Sequence, residues 1–349
     1  MRLKFSVLLI FSLALYGFVG AEPQPNNISD SLKLWYAQPA AEWVEALPIG
    51  NGRLGAMVFG GVKHERIQLN EESVWTGSPV YRQNPEAAEY LPIIRQMLFD
   101  GEYREAEQLT REKMMGKPVW NSYQTLGNLF IRMDHEARAD NYQRELDLDQ
   151  ALAAVTYSVD NITYRREYFA TPVDQGIVVR MTASGEGALS FSLELTRPKD
   201  ASVQIDSSGL IRMYGRVTVG DTNRHGVNPG VRYETQVKVV LSEGNLSIGN
   251  GHLSIYNADE ALIFLVAATD YHGKDPRRLC ASALTGITAR NYDAIKADHI
   301  AEHQRLFRRV SLDLGSTPRD TLPTDMRLAG FRKGAPDPGL IRLYFQYGR

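Results

Sequence analysis

The sequence is almost without cysteine, because Cys280 stands alone among 349 residues. A lone cysteine excludes an internal disulfide framework. A chain of this length needs none, since its hydrophobic core can supply the stability. Cys280 lies beside an apolar stretch, so we expect it to be a buried small hydrophobic side chain.

A strong charge of one sign is also absent. The 39 basic and 41 acidic residues give a formal net charge of −2 at pH 7. Proteins that bind nucleic acid or an anionic membrane surface usually carry a basic stripe or a polybasic patch, and neither stands out here. We therefore expect neither nucleic acid nor a membrane among the partners.

The sequence contains no hydrophobic run suited to spanning a bilayer. The apolar run at residues 5–19 is shorter than the roughly 20 residues that a transmembrane helix needs. It follows Arg2 and Lys4 and ends in small residues up to Ala21, which is typical of a secretory signal peptide. A retained membrane anchor is the alternative, but no stop-transfer pattern follows. The sequence predicts a signal peptide over residues 1–21 and an exported protein, periplasmic or secreted.

A glycine motif invites a nucleotide-binding interpretation. Gly50, Gly52 and Gly55 match the G-x-G-x-x-G pattern, which in a dinucleotide fold joins a strand to a helix. Here Pro48 interrupts the preceding segment, and the apolar run that follows is too short for a crossover helix. We favour the alternative, a turn that leads into a hairpin of residues 55–59 and 66–70.

Alternating hydrophobicity dominates from about residue 126 to residue 269. Residues 189–195 and 162–168 alternate apolar or aromatic side chains with polar ones, which is typical of half-buried antiparallel strands. Residues 261–268 are continuously apolar, so both faces of that strand should be covered. Many short strands separated by turn signals predict a mainly β protein, a large antiparallel β-sandwich or super-sandwich.

Two predicted helical regions accompany this sandwich. Residues 85–100 and 102–115 form a predicted helical hairpin insertion, with Asn84 as the cap of its first helix and Gly101 at its end. Residues 291–309 are amphipathic and should form a second helical region, followed by a short strand at 310–314. Together the patterns predict a sandwich domain over residues 22–285.

The C-terminal region is predicted to be a helical linker over residues 286–349. Residues 315–338 are polar and rich in glycine and proline, as in interdomain connections. A helix with an apolar face should begin near Pro338. Because that face has nothing in the sequence to cover it, we expect a partner half to complete the protein.

His299 and His303 form an H-x-x-E-H pattern on the helix of residues 291–309. Two histidines four residues apart share a helix face and could bind zinc, with Glu302 as a general base. The alternative is that both histidines pack along the apolar stripe. We favour packing, because no further histidine or acid is placed to complete a site, and we expect no metal and no cofactor.

Several motifs in order carry a family resemblance. The chain resembles the N-terminal part of glycoside hydrolase family 95, the secreted α-L-fucosidases. The resemblance covers almost the whole of the predicted mature chain, and its motifs read LWY at Leu34, ALPIGNGRLGAMVFGG, IQLNEESVWTG, YQTLGNL, YQRELDLD, YRREYFA, LFRRV and DPGLIRLYFQYGR.

The resemblance implies an architecture and an activity. Members of the family join an N-terminal β-sandwich and a helical linker to a catalytic (α/α)6 barrel. They release terminal α-L-fucose with inversion and without a metal, and some relatives prefer α-L-galactose. Inversion needs an acid at the glycosidic oxygen and a base that activates water. In the family these groups lie in the barrel, so no catalytic residue is expected before Arg349 and the chain alone should be inactive.

The resemblance also points to partners and to supporting residues. The expected partners are a fucosylated oligosaccharide from a plant or host glycan and the missing C-terminal catalytic half. Asn51, Asn70, Glu71 and Trp75 could bind substrate, since planar polar groups suit sugar hydroxyls and an aromatic face suits the ring. Alternatively, Asn70 and Glu71 satisfy turn backbone and Trp75 packs at an interdomain seam.

A second function stays open at this point. A sandwich rich in tyrosine and tryptophan could be a stand-alone carbohydrate-binding or interaction module. An exposed row of aromatic side chains outside residues 34–77 would favour that interpretation.

Overall fold

The computed structural model describes residues 32–77, 84–116, 122–218, 230–249 and 251–349. The predicted signal peptide, residues 1–21, lies outside these ranges. Within them, no helix is long and apolar enough to cross a bilayer.

Two antiparallel sheets form the body of the protein, which confirms the mainly β prediction. The first sheet has nine strands, in the spatial order β1 (Lys33–Tyr36), β6 (Asp140–Asp147), β7 (Leu152–Val159), β8 (Ile162–Thr171), β9 (Gly176–Ala183), β16 (Glu260–Thr269), β13 (Arg232–Ser242), β12 (Ile211–Arg216) and β11 (Ser202–Ile205). The second has seven strands, in the order β14 (Asn245–Gly249), β15 (His252–Ala258), β10 (Leu189–Thr196), β5 (Gly127–Met133), β4 (His64–Glu71), β3 (Leu54–Val58) and β2 (Leu47–Gly50).

The core lies between the two sheets. Strand β10 shows the predicted alternation, with Leu193 fully buried and Ser192 partly exposed. The burial pattern of β4 alternates in the same way. Because successive side chains of a strand point to opposite faces, this period of two gives each sheet one apolar inner face.

A buried ion pair interrupts the apolar core. The exposed fractions of Glu65 and Arg166 are 0% and 1%, and Glu65 Oε2 lies 3.5 Å from Arg166 Nη1. The hydroxyl of Tyr168 and the amide of Gly60 each donate to Glu65 at 2.9 Å. Burial raises the pKa of Glu65, while the charge of Arg166 opposes that rise. The pair therefore ties β4 to β8 across the two sheets.

Helices α3 (Pro276–Thr288) and α4 (Tyr292–Phe307) cover part of the outer face of the nine-stranded sheet. Asp275 caps α3 and Asn291 caps α4, each through its side chain. The apolar run of β16 is buried on both faces, as predicted, because α3 packs against it. Cys280 is buried in α3, and its thiol contacts Glu234 O at 3.3 Å.

The helical hairpin is present but begins later than predicted. Helix α1 spans Ala87–Phe99 and α2 spans Tyr103–Leu109, followed by a π-helical turn at Thr110–Met114. The side chain of Asn84 accepts the N–H of Glu86 ahead of the helix and does not cap it. Gly101 separates the two helices with φ of +83°, which glycine adopts without a Cβ penalty.

The segment predicted to be a linker is more structured than expected. Residues 310–314 form no strand, and helix α5 (Thr324–Arg332) lies inside the polar stretch. Arg327 donates to Asp337 at 2.7 and 3.0 Å, and this buried pair joins α5 to α6 (Pro338–Tyr347). The composition concealed α5 because ion pairs, rather than a broad apolar face, hold it. The predicted boundary at residue 285 falls within α3, and the domain division stays a prediction.

Candidate functional site

The glycine segment is a hairpin turn, and this agrees with the interpretation we favoured. Strand β2 pairs with β3 in antiparallel fashion, and β3 pairs with β4. Pro48 is tolerated because β2 is the edge strand of its sheet. No helix follows the glycines, so the geometry of a dinucleotide-binding loop is absent from this described segment.

Asn51 holds this turn. Its Oδ1 accepts the N–H groups of Arg53 at 3.0 Å and Leu54 at 2.7 Å. Its Nδ2 donates to O of Thr171, the last residue of β8, at 3.0 Å. Both ends of the amide are therefore engaged by backbone, and Asn51 joins the two sheets at one end of the sandwich.

Asn70 and Glu71 are neighbours in sequence but point to opposite faces of β4. Asn70 is half-buried on the outer face, while Glu71 is 3% exposed on the inner face. Glu71 Oε2 accepts from the N–H of Ser73 at 2.8 Å and from its hydroxyl at 2.7 Å. The structure therefore does not bring Asn70 and Glu71 into one site, and the Glu71 carboxylate is taken up by the turn that follows β4.

Arg53 is the residue that reasoning from sequence missed. Its guanidinium donates to Ala267 O and to Gln175 Oε1, each at 2.7 Å, and lies 3.3 Å from Glu71 Oε1. The Ser73 and Thr269 hydroxyl oxygens lie 2.5 Å apart and extend the network to the end of β16. Arg53 lies inside the glycine motif, so the motif itself was the available signal.

Trp75 is exposed at the same end of the sandwich. Its indole N–H donates to Glu72 O at 3.0 Å, and its ring centroid lies 5.5 Å from that of Tyr123. The exposed fractions of Trp75 and Tyr123 are 42% and 44%. Burial of its hydroxyl raises the pKa of Tyr123, and the charges of Glu71 and Glu72 add to the rise.

Tyr271 adds a third exposed ring to this end, with 57% of its surface accessible. Val231 N donates to Trp75 O at 3.4 Å, and Arg232 N donates to Asp270 Oδ1 at 2.8 Å. These bonds place the loops that carry Trp75 and Tyr271 on either side of the start of β13. We call Trp75, Tyr123 and Tyr271 the aromatic end. Two of its three members lie outside residues 34–77.

The two histidines of the H-x-x-E-H pattern attach α4 to the sandwich. His299 Nε2 donates to Ala151 O at 3.1 Å, and His303 Nε2 donates to Leu148 O at 2.8 Å. His299 also stacks on Phe169 at 4.7 Å, and burial lowers its pKa. Both Nε2 atoms are thus occupied by carbonyl oxygens. Among the described residues, no group of three or more potential ligands could hold a metal ion.

Two family models match the chain. The model "Glycosyl hydrolase family 65, N-terminal domain" matches residues 34–274. The model "Glycosyl hydrolase family 95 catalytic domain" matches residues 291–349. The first match contains both sheets apart from Lys33, and the second begins at the cap of α4.

Curated relatives are similar over most of the chain. "Alpha-L-fucosidase 2" of Arabidopsis thaliana is 33% identical, and the alignment covers 93% of this chain and 42% of that protein. "Probable alpha-fucosidase A" of Aspergillus niger is 28% identical, with 87% of this chain and 40% of that protein covered. The chain therefore spans less than half the length of these relatives.

Among solved structures, a "Putative kojibiose phosphorylase from human microbiome" aligns with a TM-score of 0.49 and 10% identity, over 87% of this chain and 41% of that one. The family matches and the curated relatives agree with the ordered motifs of the sequence. The chain belongs to glycoside hydrolase family 95 and carries the N-terminal domain that is also described for family 65.

Proposed function

We propose that this chain is the N-terminal portion of an exported α-L-fucosidase, which releases terminal α-L-fucose from glycans by inverting hydrolysis. The observation that carries the proposal is the 33% identity to Alpha-L-fucosidase 2 over 93% of the chain. The aligned part is only 42% of that relative. The proposed catalytic groups belong to the other half, a barrel that acts together with this sandwich.

The contacts of the carboxylates at the aromatic end support the proposal that no glycoside hydrolysis takes place there. The common inverting mechanism uses two carboxyl groups about 6.5–9.5 Å apart, with space between them for a water molecule. Glu71 is buried and bonded to Ser73 and Arg53. Asp270 is paired with Arg232 at 2.8 Å. Glu72, whose backbone oxygen accepts the indole N–H of Trp75, is exposed. With Glu71 and Asp270 engaged, Glu72 lacks the second carboxyl group that this mechanism uses.

The four residues predicted from sequence take different roles in this proposal. Asn51 and Glu71 are positioning residues, because their polar atoms hold turns at one end of the sandwich. Trp75 is the member that contacts either the sugar or the barrel, since its ring is exposed. Asn70 lies on the outer face of the seven-stranded sheet, where it could only meet a group that covers that face.

A hydrolysis assay tests the proposal. The chain spanning residues 22–349 is incubated with 2'-fucosyllactose and with a nitrophenyl α-L-fucoside, and released fucose is measured. We expect no turnover above buffer. The opposite result is that the chain hydrolyses a substrate and loses that activity when the aromatic rings are removed. That result would overturn the proposal that the catalytic groups belong to the other half. Export is tested separately by sequencing the N-terminus of secreted protein, which should begin at Glu22.

A stand-alone carbohydrate-binding module is the second candidate. It is favoured by the exposed rings of Tyr123 and Tyr271, both outside residues 34–77. Isothermal titration with 2'-fucosyllactose distinguishes the two, because a module would bind without turnover and would lose binding in Tyr271→Ala, a change outside residues 34–77. Absence of binding by the intact chain would count against the module.

A further inference from the structure

A polar groove runs along the outer face of β11, β12 and β13. The cross-strand register places Gln204 opposite Arg212 and Arg212 opposite Gln236. One step along the strands, Tyr214 lies opposite Glu234. Because residues two apart share a face of a strand, these five side chains form a continuous polar surface outside the sandwich.

The floor of the groove is preorganised. Arg212 donates to both carboxylate oxygens of Glu234, through Nε at 2.8 Å and Nη2 at 3.1 Å. Gln236 Nε2 donates to Glu234 Oε1 at 2.7 Å. The exposed fractions of Glu234 and Gln236 are 4% and 3%, so this network is fixed in place beneath the surface. Fixed polar groups lose little conformational entropy when a ligand binds.

Helix α3 forms one wall of the groove. Two adjoining cavities, of about 560 and 470 Å³, share Gln204, Arg212 and Arg277 in their lining. Binding sites for small molecules commonly measure about 300–1,000 Å³. The lining here combines apolar side chains, such as Leu210 and Ala281, with amides, guanidinium groups, carboxylates and a tyrosine. It therefore suits a ligand that has both apolar and charged groups, as a sugar chain does.

Four arginines (Arg212, Arg216, Arg232 and Arg277) and three carboxylates line the two cavities, so positive charge is in excess. Asp206 accepts backbone N–H groups of its own turn, and Asp275 accepts those of Arg277 and Arg278. Glu234 is neutralised by Arg212. The Arg277 side chain is exposed in the lining of both cavities, and no salt bridge joins it to a carboxylate of the described residues. The free guanidinium and the Gln204 amide thus call for an acceptor with negative charge.

We propose that this groove binds an acidic saccharide, a sugar chain that carries a carboxylate or a sulfate group. Arg277 binds the anionic group, because a guanidinium presents paired N–H donors that match two anionic oxygens. Gln204 is exposed and binds a hydroxyl group, and Tyr214 offers a ring beside it. The Arg212 guanidinium lies 5.4 Å from the Tyr214 ring centroid and holds that ring in place. The proposal does not depend on hydrolysis of fucose, because the groove is a separate surface.

Titration calorimetry with the intact chain tests this proposal. The probes are an oligogalacturonate for the carboxylate, a chondroitin sulfate oligosaccharide for the sulfate, and neutral 2'-fucosyllactose. We expect at least one acidic probe to bind more tightly than the neutral one, and its affinity should fall as salt is raised from 50 to about 500 mM because charges are screened. Equal affinity for acidic and neutral probes, or no binding of either acidic probe, would overturn the proposal.

A matched pair of variants separates the groove from general surface charge. Arg277→Gln should weaken binding of the acidic probe about threefold to fivefold, the upper part of the range for an exposed ion pair. Arg278→Gln removes the same charge from the neighbouring position, outside the lining of both cavities, and should change affinity less than twofold. Gln204→Ala is a second variant, which removes a hydrogen-bonding side chain from the groove without changing the net charge. An equal loss in Arg277→Gln and Arg278→Gln would show that the effect is long-range charge and would sink the assignment. Unfolding curves of the variants confirm that each one folds.

Discussion

The outer face of the nine-stranded sheet has two halves of opposite character. Across β8, β9 and β16 many outward side chains are apolar, including Phe169, Val178 and Phe264, and helices α3 and α4 cover them. Polar side chains on this face, such as Glu167, bond to α4. Across β11, β12 and β13 the outward side chains are mostly polar. Helix α3 packs on β13, and no other helix of the described residues covers these three strands. One sheet therefore supplies a second core on one side and a groove on the other, and the difference lies in which residues alternate along each strand.

Among the variants that test this comparison, Phe264→Ala should have the largest effect on stability. Phe264 is 1% exposed beneath α3, and a large-to-small change at such a site costs about 3–5 kcal/mol because a cavity remains. Urea unfolding should show a loss of this size. A loss below about 1 kcal/mol would mean that the helices do not pack firmly on this half.

The attachment of α4 gives a pH-dependent test of the half formed by β8, β9 and β16, which the helices cover. Tyr292 OH donates to Glu167 at 2.7 Å, and Lys296 Nζ lies 3.1 Å from both carboxylate oxygens. Burial by itself would raise the pKa of Glu167, but hydrogen bonds from Tyr292, Arg165 and Lys296 outweigh it and lower the pKa to about 2.

A lowered carboxyl pKa stabilises the fold above the ordinary value of 4.5 and loses that contribution as the pH falls toward 2. Glu167→Gln should therefore cost about 1.5–3 kcal/mol at pH 7, the range for hydrogen bonds to a charged group. The gap between wild type and variant should narrow at pH 3, as measured by urea unfolding at the two pH values. A gap that is independent of pH would show that Glu167 acts by packing rather than by charge.

The smallest effect on the free energy of unfolding is expected for Tyr214→Ala, in the half formed by β11, β12 and β13. Tyr214 is half-buried on the groove surface, with no helix packed over it. Tyr214→Ala should cost about 1–2 kcal/mol, less than Phe264→Ala, because the position opens into the groove and truncation leaves no enclosed cavity. Thermal unfolding beside Phe264→Ala measures the contrast directly. Comparable losses in the two variants would mean that the two halves are not different environments.

The periodic elements could be predicted because their signals are local. Alternation along residues 189–195 predicts a half-buried strand, and β10 occupies that position. A continuous apolar run predicts a strand covered on both faces, and β16 is covered by α3. Asn291 and Pro338 mark helix starts within a residue or two, because caps act on the adjacent turn.

The candidate site was less predictable, because its contacts join residues far apart in the chain. Asn51 reaches Thr171, and Arg53 reaches Ala267 and Gln175. The motif around Glu71 drew attention to a carboxylate, yet burial and the bonds to Ser73 make it part of the scaffold. Helix α5 was missed for a similar reason, since a buried Arg327–Asp337 pair rather than a broad apolar face attaches it to α6.

The sequence by itself determined the family, the sandwich and the main helices, because motifs, alternation and caps depend only on residues near one another in the chain. Only the tertiary structure decided that Glu65 and Arg166 pair inside the core, and that Asn70 and Glu71 face opposite ways. It also decided that β11, β12, β13 and α3 enclose a polar groove. These outcomes depend on distances between separate strands, which form only when the two sheets and their helices pack together.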